Sequence, residues 1–330
     1  MHEDRHDRCV ICGARDWRST ARTARYAPRD WRECSHCGLL ARADMLTADR
    51  LRDFVDMQWS EARSRDGRFR IAPSDPVFME AYTFRSLALG RRHYVLPPDR
   101  SPQDELTKPY GATPADACVE PIEGIAPVPV SLAMLTRSCE LPGVLDRARG
   151  LTHEFGDIVL VVDGEGLENP RDTSDAGIRI VHRPLAGDFS GQRNAAQATA
   201  RHEWVLQLDA DESVNQATLS DLGRVAALAQ RDGALSVGLV RFNHVGGVLS
   251  DLYPDIQYRL NRRGVRYHGR VHERPHLPNG WSQSFIAPNL AIDHHLDAAH
   301  VAARSAIYDT MAPGEGRTFE RGTLSTPFRR

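Results

Sequence analysis

Between residues 128 and 300 the chain alternates apolar runs of strand length with stretches of helical spacing. Val128–Leu135 is apolar through most of its length and predicts a strand, and Leu141–Thr152 predicts the helix that follows. Asp157–Val162 is a nearly continuous apolar run, the pattern of a strand covered on both faces. Ile178–His182 predicts a third strand, alanine-rich Gly191–Ala200 a helix, and Trp204–Leu208 a fourth strand. Alternating strands and helices imply an α/β fold of Rossmann-like type with a mainly parallel sheet. Ligands of such sheets bind beyond the carboxyl ends of the strands. Asp163, Asp209 and Asp211 fall at those ends.

The rest of the chain is organised differently. Residues 1–45 contain two Cys-x-x-Cys pairs and predict a small ribbon. Residues 46–127 are arginine-rich, with a helix-like stretch at Pro76–Leu89 and a proline-rich linker from Leu96 to Pro127. Residues 128–311 form the main domain, and residues 312–330, rich in Gly, Arg, Thr and Pro, predict a flexible tail.

Cys9, Cys12, Cys34 and Cys37 change the picture of the first segment. Four thiolates in two knuckles suit tetrahedral Zn²⁺, and Gly13 and Gly38 let the chain turn tightly after each pair. A closed four-cysteine site keeps no position for substrate, so its role is structural; docking of an acceptor and assembly are both open to it. His36 reads as a surface residue, and Cys139 as chemically inert.

Net charge is −2, with 41% hydrophobic residues, and Lys108 is the one lysine. Nothing in that balance demands nucleic acid or an anionic membrane. Acids are interleaved among the arginines of the first hundred residues, and no aromatic RNA-binding motif accompanies them. The N-terminus lacks an apolar signal-peptide core, and no apolar run reaches the roughly 20 residues of a membrane span. The expectation is a cytoplasmic protein, with peripheral contact at the inner membrane face open to it if its acceptor is lipid-linked.

The candidate chemistry centres on Asp209-Ala210-Asp211 at the end of an apolar strand. Carboxylates two residues apart in an extended strand point the same way and offer hard oxygens to Mg²⁺ or Mn²⁺. Such a metal neutralises charge on a departing diphosphate. The stretches Asp188-Phe-Ser-Gly-Gln-Arg-Asn-Ala-Ala196 and Trp204-Val-Leu-Gln-Leu-Asp-Ala-Asp-Glu212 resemble glycosyltransferase family 2, of GT-A fold. A second block agrees: Tyr253-Pro-Asp-Ile-Gln-Tyr-Arg-Leu260, Arg262-Arg263 and Gly269-Arg-Val-His-Glu273. The likeness covers residues 129–296 and is nearest to the lipopolysaccharide-core glucosyltransferases. The ribbon, ending in Cys-x-x-Cys-Gly-Leu, is similar to those that precede some sugar methyltransferases.

The resemblance implies an inverting transferase that moves a sugar from a nucleotide diphosphate-sugar, a UDP-sugar foremost, to an acceptor hydroxyl. The acceptor would be a saccharide, a lipid-linked glycan or a small molecule. It implies that Asp163 contacts the nucleotide and that Arg193 and Asn194 lie over the donor. Arg259 and Arg263, with Asp209, would hold the diphosphate, and Asp209, Asp211 and His294 the metal. Asp255 is favoured as base, with Glu273 as the other candidate and His272 shaping the site. The chain departs from the family pattern at Thr136-Arg-Ser-Cys-Glu140, Gly164-Glu-Gly166 and Leu260-Asn-Arg-Arg263. Those departures motivate the alternative of an inactive sugar-nucleotide or partner-binding module.

Overall fold

The computed structural model describes residues 8–20, 31–43, 81–96, 117–165, 177–253, 255–299 and 318–328, with 68–69, 171–172 and residues 53, 60, 175, 301, 308 and 310. The ribbon is a three-stranded antiparallel sheet of β1 (Trp17–Ser19), β2 (Trp31–Cys34) and β3 (Leu40–Arg42). After it come β4 (Arg68–Phe69), α1 (Ala81–Gly90), β5 (His93–Leu96) and β6 (Ala117–Pro121). The first five residues of the expected Pro76–Leu89 helix, like residues 97–116 of the expected linker, lie outside the described residues.

Residues 117–121, expected as linker, are a strand instead: β6 pairs with both β5 and β4. Tyr94 on β5 donates to Glu120 on β6 at 2.7 Å, a cross-strand contact that proline content does not reveal. The segment is tied to the main domain by the buried Arg85–Asp232 ion pair, with Arg85 also lying over the Phe285 ring.

The main domain runs β7 (Val130–Arg137), α2 (Leu141–Gly150), β8 (Ile158–Asp163), β9 (Arg171–Asp172), β10 (Ile178–His182), α3 (Phe189–Thr199) and β11 (Trp204–Asp209). It continues with β12 (Glu212–Val214), α4 (Gln216–Arg231), β13 (Ser236–Val245), β14 (Val248–Leu249), β15 (Asp255–Arg262), β16 (Tyr267–His268), β17 (Arg274–Pro275) and β18 (Ser284–Leu296). α5 (Thr318–Ser325) closes the described chain.

One large sheet organises these elements in the order β12-β18-β13-β15-β11-β7-β8-β10-β9, with β14 on β13. The half made of β11, β7, β8 and β10 is parallel, as the apolar runs imply. The other half is mixed: β15 runs antiparallel to β11 and β13, while β18 is parallel to β13. The fold is therefore mixed α/β with a large curled central sheet. The chain steps outward from β7 to β8 and β10, then returns to place β11 on the other side of β7. This is a topological switch, and a crevice opens there beyond the strand ends.

Helix ends are set by local chemistry. Asp188 caps α3 by accepting from the Gly191 N–H at 3.0 Å, and Asn215 caps α4 by accepting from the Thr218 N–H at 2.9 Å. At the amino ends of the parallel strands Asp157 is fully buried. It accepts from Ser131 Oγ at 2.6 Å and the Arg201 N–H at 2.8 Å, and pairs with Arg179.

Residues 318–328, within the segment expected as a tail, carry α5 and touch the main domain. Phe328 sets its ring edge-on to Tyr253 with centroids 5.0 Å apart, and its N–H donates to the Leu249 carbonyl at 2.8 Å.

Candidate functional site

Two cavities of about 810 Å³ each open beside the carboxyl ends of β7, β8 and β11. The first is lined by Arg137, Glu140, Asp163, Asp211 and His294. The second is lined by Tyr258, Arg259, His272 and Glu273, and by residues of the ribbon. Asp209, Phe189 and Tyr308 line both, so the cavities meet there.

Asp163 lies where the sequence places it, at the end of β8. Its Oδ1 accepts from the Leu185 N–H at 2.8 Å, so it fixes the loop before α3 while facing the first cavity. Arg193 is buried on α3 and reaches Asp209 Oδ1 at 2.8 Å, Glu273 Oε1 and Gln207 Oε1. Burial alone would lower its pKa, but Asp209 and Glu273 overcome that and hold the guanidinium charged. Arg259 reaches Asp209 Oδ2 at 2.8 Å and Glu212 Oε1 at 3.4 Å.

Asp209 and Asp211 do not point the same way, which corrects the expected pair. β11 ends at Asp209 and a turn follows, so the two-residue alternation stops there. Both Asp209 oxygens are taken by guanidiniums, while Asp211 turns to His294, with Oδ2 3.3 Å from Nε2. Burial, with Glu212, Glu273 and Asp211 nearby, pushes the Asp209 carboxyl up to about 7 against the pull of Arg193.

The His294 tautomer follows from its neighbours. Asn243 donates its amide N–H groups to the Leu252 carbonyl (3.1 Å) and Asp255 Oδ2 (3.3 Å), so its oxygen faces His294 Nδ1 at 2.7 Å. Nδ1 therefore carries a proton, and Nε2 faces the Asp211 carboxylate. A ring nitrogen and a carboxylate oxygen 3.3 Å apart at the rim of a cavity are a pair that could hold a divalent cation, with its other positions open to a ligand.

Three further residues expected at the site are engaged by neighbours. Asp255 lines the second cavity with Glu273, and its carboxylate pairs with Arg241, with Oδ2 2.6 Å from Nη2, and receives Asn243 and Gln257. Burial would raise its pKa, but the Arg241 charge and hydrogen bonds hold it well below the usual carboxylate range. Asn194 lines neither cavity: its amide donates to the Tyr267 carbonyl (3.0 Å) and accepts from the Tyr267 N–H (2.8 Å). Arg263 lies at the wrong end of the sheet. β15 is antiparallel to β11, so Arg262 sits opposite Trp204 at the start of β11, and Arg263 donates to the Ala200 carbonyl.

His272 adopts φ 53°, a left-handed conformation uncommon outside glycine, and its ring stands edge-on to Tyr308. The loop is held in place by the Phe189 N–H donating to the Arg270 carbonyl at 3.0 Å. Glu273 emerges at the second cavity beside Arg193 and Arg259. Sequence reasoning gave no role to Glu212, Gln207, Arg241, Asn243 or Tyr308. Glu212 directly follows the paired aspartates, a signal that was available; the others carry none, because their partners are distant in sequence.

In the ribbon all four cysteines are buried, and their sulfurs lie within 4.8 Å of one another. Cys9–Cys37 is 3.6 Å and Cys12–Cys34 3.5 Å. Thiolates ~2.3 Å from one tetrahedral centre would lie about 3.8 Å apart, whereas a disulfide needs about 2.05 Å. The spacing fits a bound metal. Among the described residues no helix is long and apolar enough to cross a membrane.

Residues 133–278 match the family model for glycosyl transferase family 2. The family 2 match spans both cavities' central residues, from β7 to the loop after Glu273, and leaves out the ribbon. A TPR repeat-containing protein of Synechococcus elongatus is 36% identical over 92 residues, which is 28% of this chain and 22% of that one. The SPbeta prophage-derived glycosyltransferase SunS of Bacillus subtilis is 31% identical over 120 residues, 36% of this chain and 28% of SunS. An uncharacterized glycosyltransferase of Rickettsia bellii is 26% identical over 93 residues. The chain thus spans between 22% and 31% of these relatives. Among solved structures, Staphylococcus aureus TarS 1–349 in complex with UDP shows 15% identity and a TM-score of 0.32, covering 60% of this chain and 69% of that one.

Proposed function

We propose that the chain is an inverting glycosyltransferase that takes a nucleotide diphosphate-sugar in the first cavity and an acceptor hydroxyl in the second. The observation that carries this is the junction of the two cavities at Asp209, with Asp211 and His294 on one side and Glu273 on the other. A UDP-sugar is the donor to test first, and a saccharide, lipid-linked glycan or small molecule the acceptor class. The family 2 match over residues 133–278 supports the reaction type.

In this reading Asp163 accepts from the base or ribose, and Asp211 and His294 hold Mg²⁺ or Mn²⁺. That cation supplies Lewis-acid stabilisation of the charge on the departing diphosphate. Arg193 and Arg259 hold Asp209 and Glu273 rigid at the junction. The acceptor oxygen attacks the anomeric carbon as the bond to the diphosphate breaks. Both Glu273 and Asp255 line the second cavity and both are ion-paired; Glu273, which shares Arg193 and Arg259 with Asp209 at the junction, is assigned to take the hydroxyl proton, with Asp255 as the other candidate. The four cysteines hold structural zinc.

The test is a transfer assay with Mn²⁺ over a donor and acceptor panel. Glu273→Gln should lower kcat about 10²–10⁴-fold, the usual range for a lost general base, while UDP binding persists. Asp211→Ala should abolish the Mn²⁺ dependence of UDP binding in calorimetry. Transfer at the wild-type rate in Asp211→Ala would sink the metal assignment, and tight nucleotide binding without turnover across the panel would favour a binding module instead.

A further inference from the structure

The cysteine ribbon does more than stand beside the main domain. The Ile256 N–H donates to His36 Nε2 at 3.2 Å, and Arg8 reaches the Tyr253 carbonyl at 3.5 Å and Asp251 at 3.9 Å. Arg8, Gly13, Ala14, Arg15, Ser35 and His36 all line the second cavity. Part of the wall of the cavity that holds Glu273 is therefore ribbon.

That wall is cationic. Inside the cavity the charges of Arg193 and Arg259 are matched by Asp209 and Glu273, and Arg241 by Asp255 and Glu212. Arg8 is shared with Asp251 at long range. Arg15 on the ribbon and Arg274 on β17 have no acidic partner within ion-pair distance among the described residues, although both line the cavity. Arg8 and Arg15 are close enough that, after burial, Arg15 is the main cause lowering the Arg8 pKa. Like charges from the ribbon and from β17 that line one concave cavity with unused donors suit an anion, which guanidinium binds in bidentate geometry. A volume of about 810 Å³ admits more than one sugar ring.

We infer that the ribbon forms the distal wall of the acceptor subsite, and that Arg15 and Arg274, supported by Arg8, hold an acidic group of the acceptor, a phosphate or a carboxylate. This rests on the transferase reading above only for the word acceptor; the anion subsite stands on the geometry of the wall.

The experiment uses the full chain saturated with UDP and Mn²⁺, so that the donor cavity is filled. Glucose, glucuronic acid and glucose 6-phosphate are titrated by NMR. The acidic sugars should bind at least about tenfold tighter than glucose, the worth of one charge-assisted contact, and the better of the two identifies phosphate or carboxylate as the group. Arg15→Ala/Arg274→Ala should erase that preference and leave the UDP·Mn²⁺ thermal shift unchanged. Equal binding of glucose and the acidic sugars, no binding by any of the three, or a preference that survives the double substitution, would overturn the inference. If instead wild-type protein shows no UDP·Mn²⁺ shift while the acidic sugars still bind through Arg15 and Arg274, the transferase reading fails and the anion subsite stands.

Discussion

At the scale of single residues, the most informative position is Asn243, which faces neither substrate in the proposed reaction. Its amide is oriented by the Asp255 carboxylate and the Leu252 carbonyl, and its oxygen then dictates which His294 nitrogen carries the proton. Asp255, expected as a base, also helps orient this amide, which in turn meets the imidazole. Partners of this kind typically set metal affinity by 10–100-fold. Asn243→Leu should accordingly weaken Mn²⁺ binding in calorimetry by about 10–100-fold while Asp211 and His294 remain. Unchanged affinity would mean that His294 holds its orientation without Asn243, and the tautomer argument would fall.

At the scale of elements, the parallel strands are pinned at their amino ends by one buried carboxylate. Asp157 joins β7 through Ser131, β10 through Arg179, and the loop after α3 through the Arg201 N–H. Burial would raise its pKa, but Ser131, the Arg201 N–H and Arg179 hold it below the ordinary value. For a depressed carboxylate, the stability contributed is present above the unfolded pKa of about 3.9 and is lost as pH falls through the folded value. Asp157→Asn leaves Arg179 buried without its counter-charge and should cost about 3–5 kcal/mol in urea unfolding at pH 7. The deficit relative to wild type should shrink as pH drops below about 4; a deficit independent of pH would show that the carboxylate charge is not what matters. The sequence made this half of the sheet legible, because continuous apolar runs bounded by polar residues mark doubly covered strands. Ile178–His182 was expected and found with the same bounds, and the runs at Asp157 and Trp204 were met to within one residue. The mixed half was not legible as strands: β13, β15 and β18 pair across up to several dozen residues, and their register depends on bulges such as those between Val237 and Leu239. The direction of Asp209 failed for a related reason, since period-two reasoning is valid only while the strand continues.

At the scale of the whole molecule, the ribbon and the sheet share a core. Cys9, Ile11 and Leu39 belong to the same buried apolar cluster as Leu206, Tyr258 and Phe285. The two Cys-x-x-Cys pairs were readable as a metal site from spacing alone, but nothing local in the sequence marks His36 or Arg8 as contacts of the catalytic half. A ribbon of so few residues has little apolar surface of its own, so a metal held by its four cysteines would supply much of its folding energy. Because its inner face also covers the sheet, release of the metal exposes apolar surface of the main domain as well, at a cost of about 25 cal/mol per Å². Purified protein should therefore contain one equivalent of zinc by elemental analysis, and Cys12→Ser/Cys34→Ser should lose it. The thermal transition of that variant should move down as a whole, followed both by circular dichroism and, with the other four tryptophans replaced by phenylalanine in both proteins, by fluorescence of Trp204, which lies buried in β11. A low-temperature step confined to the ribbon, with the Trp204 signal melting at the wild-type temperature, would show instead that the two parts are energetically independent. In that case the ribbon wall of the second cavity would open without loss of the sheet.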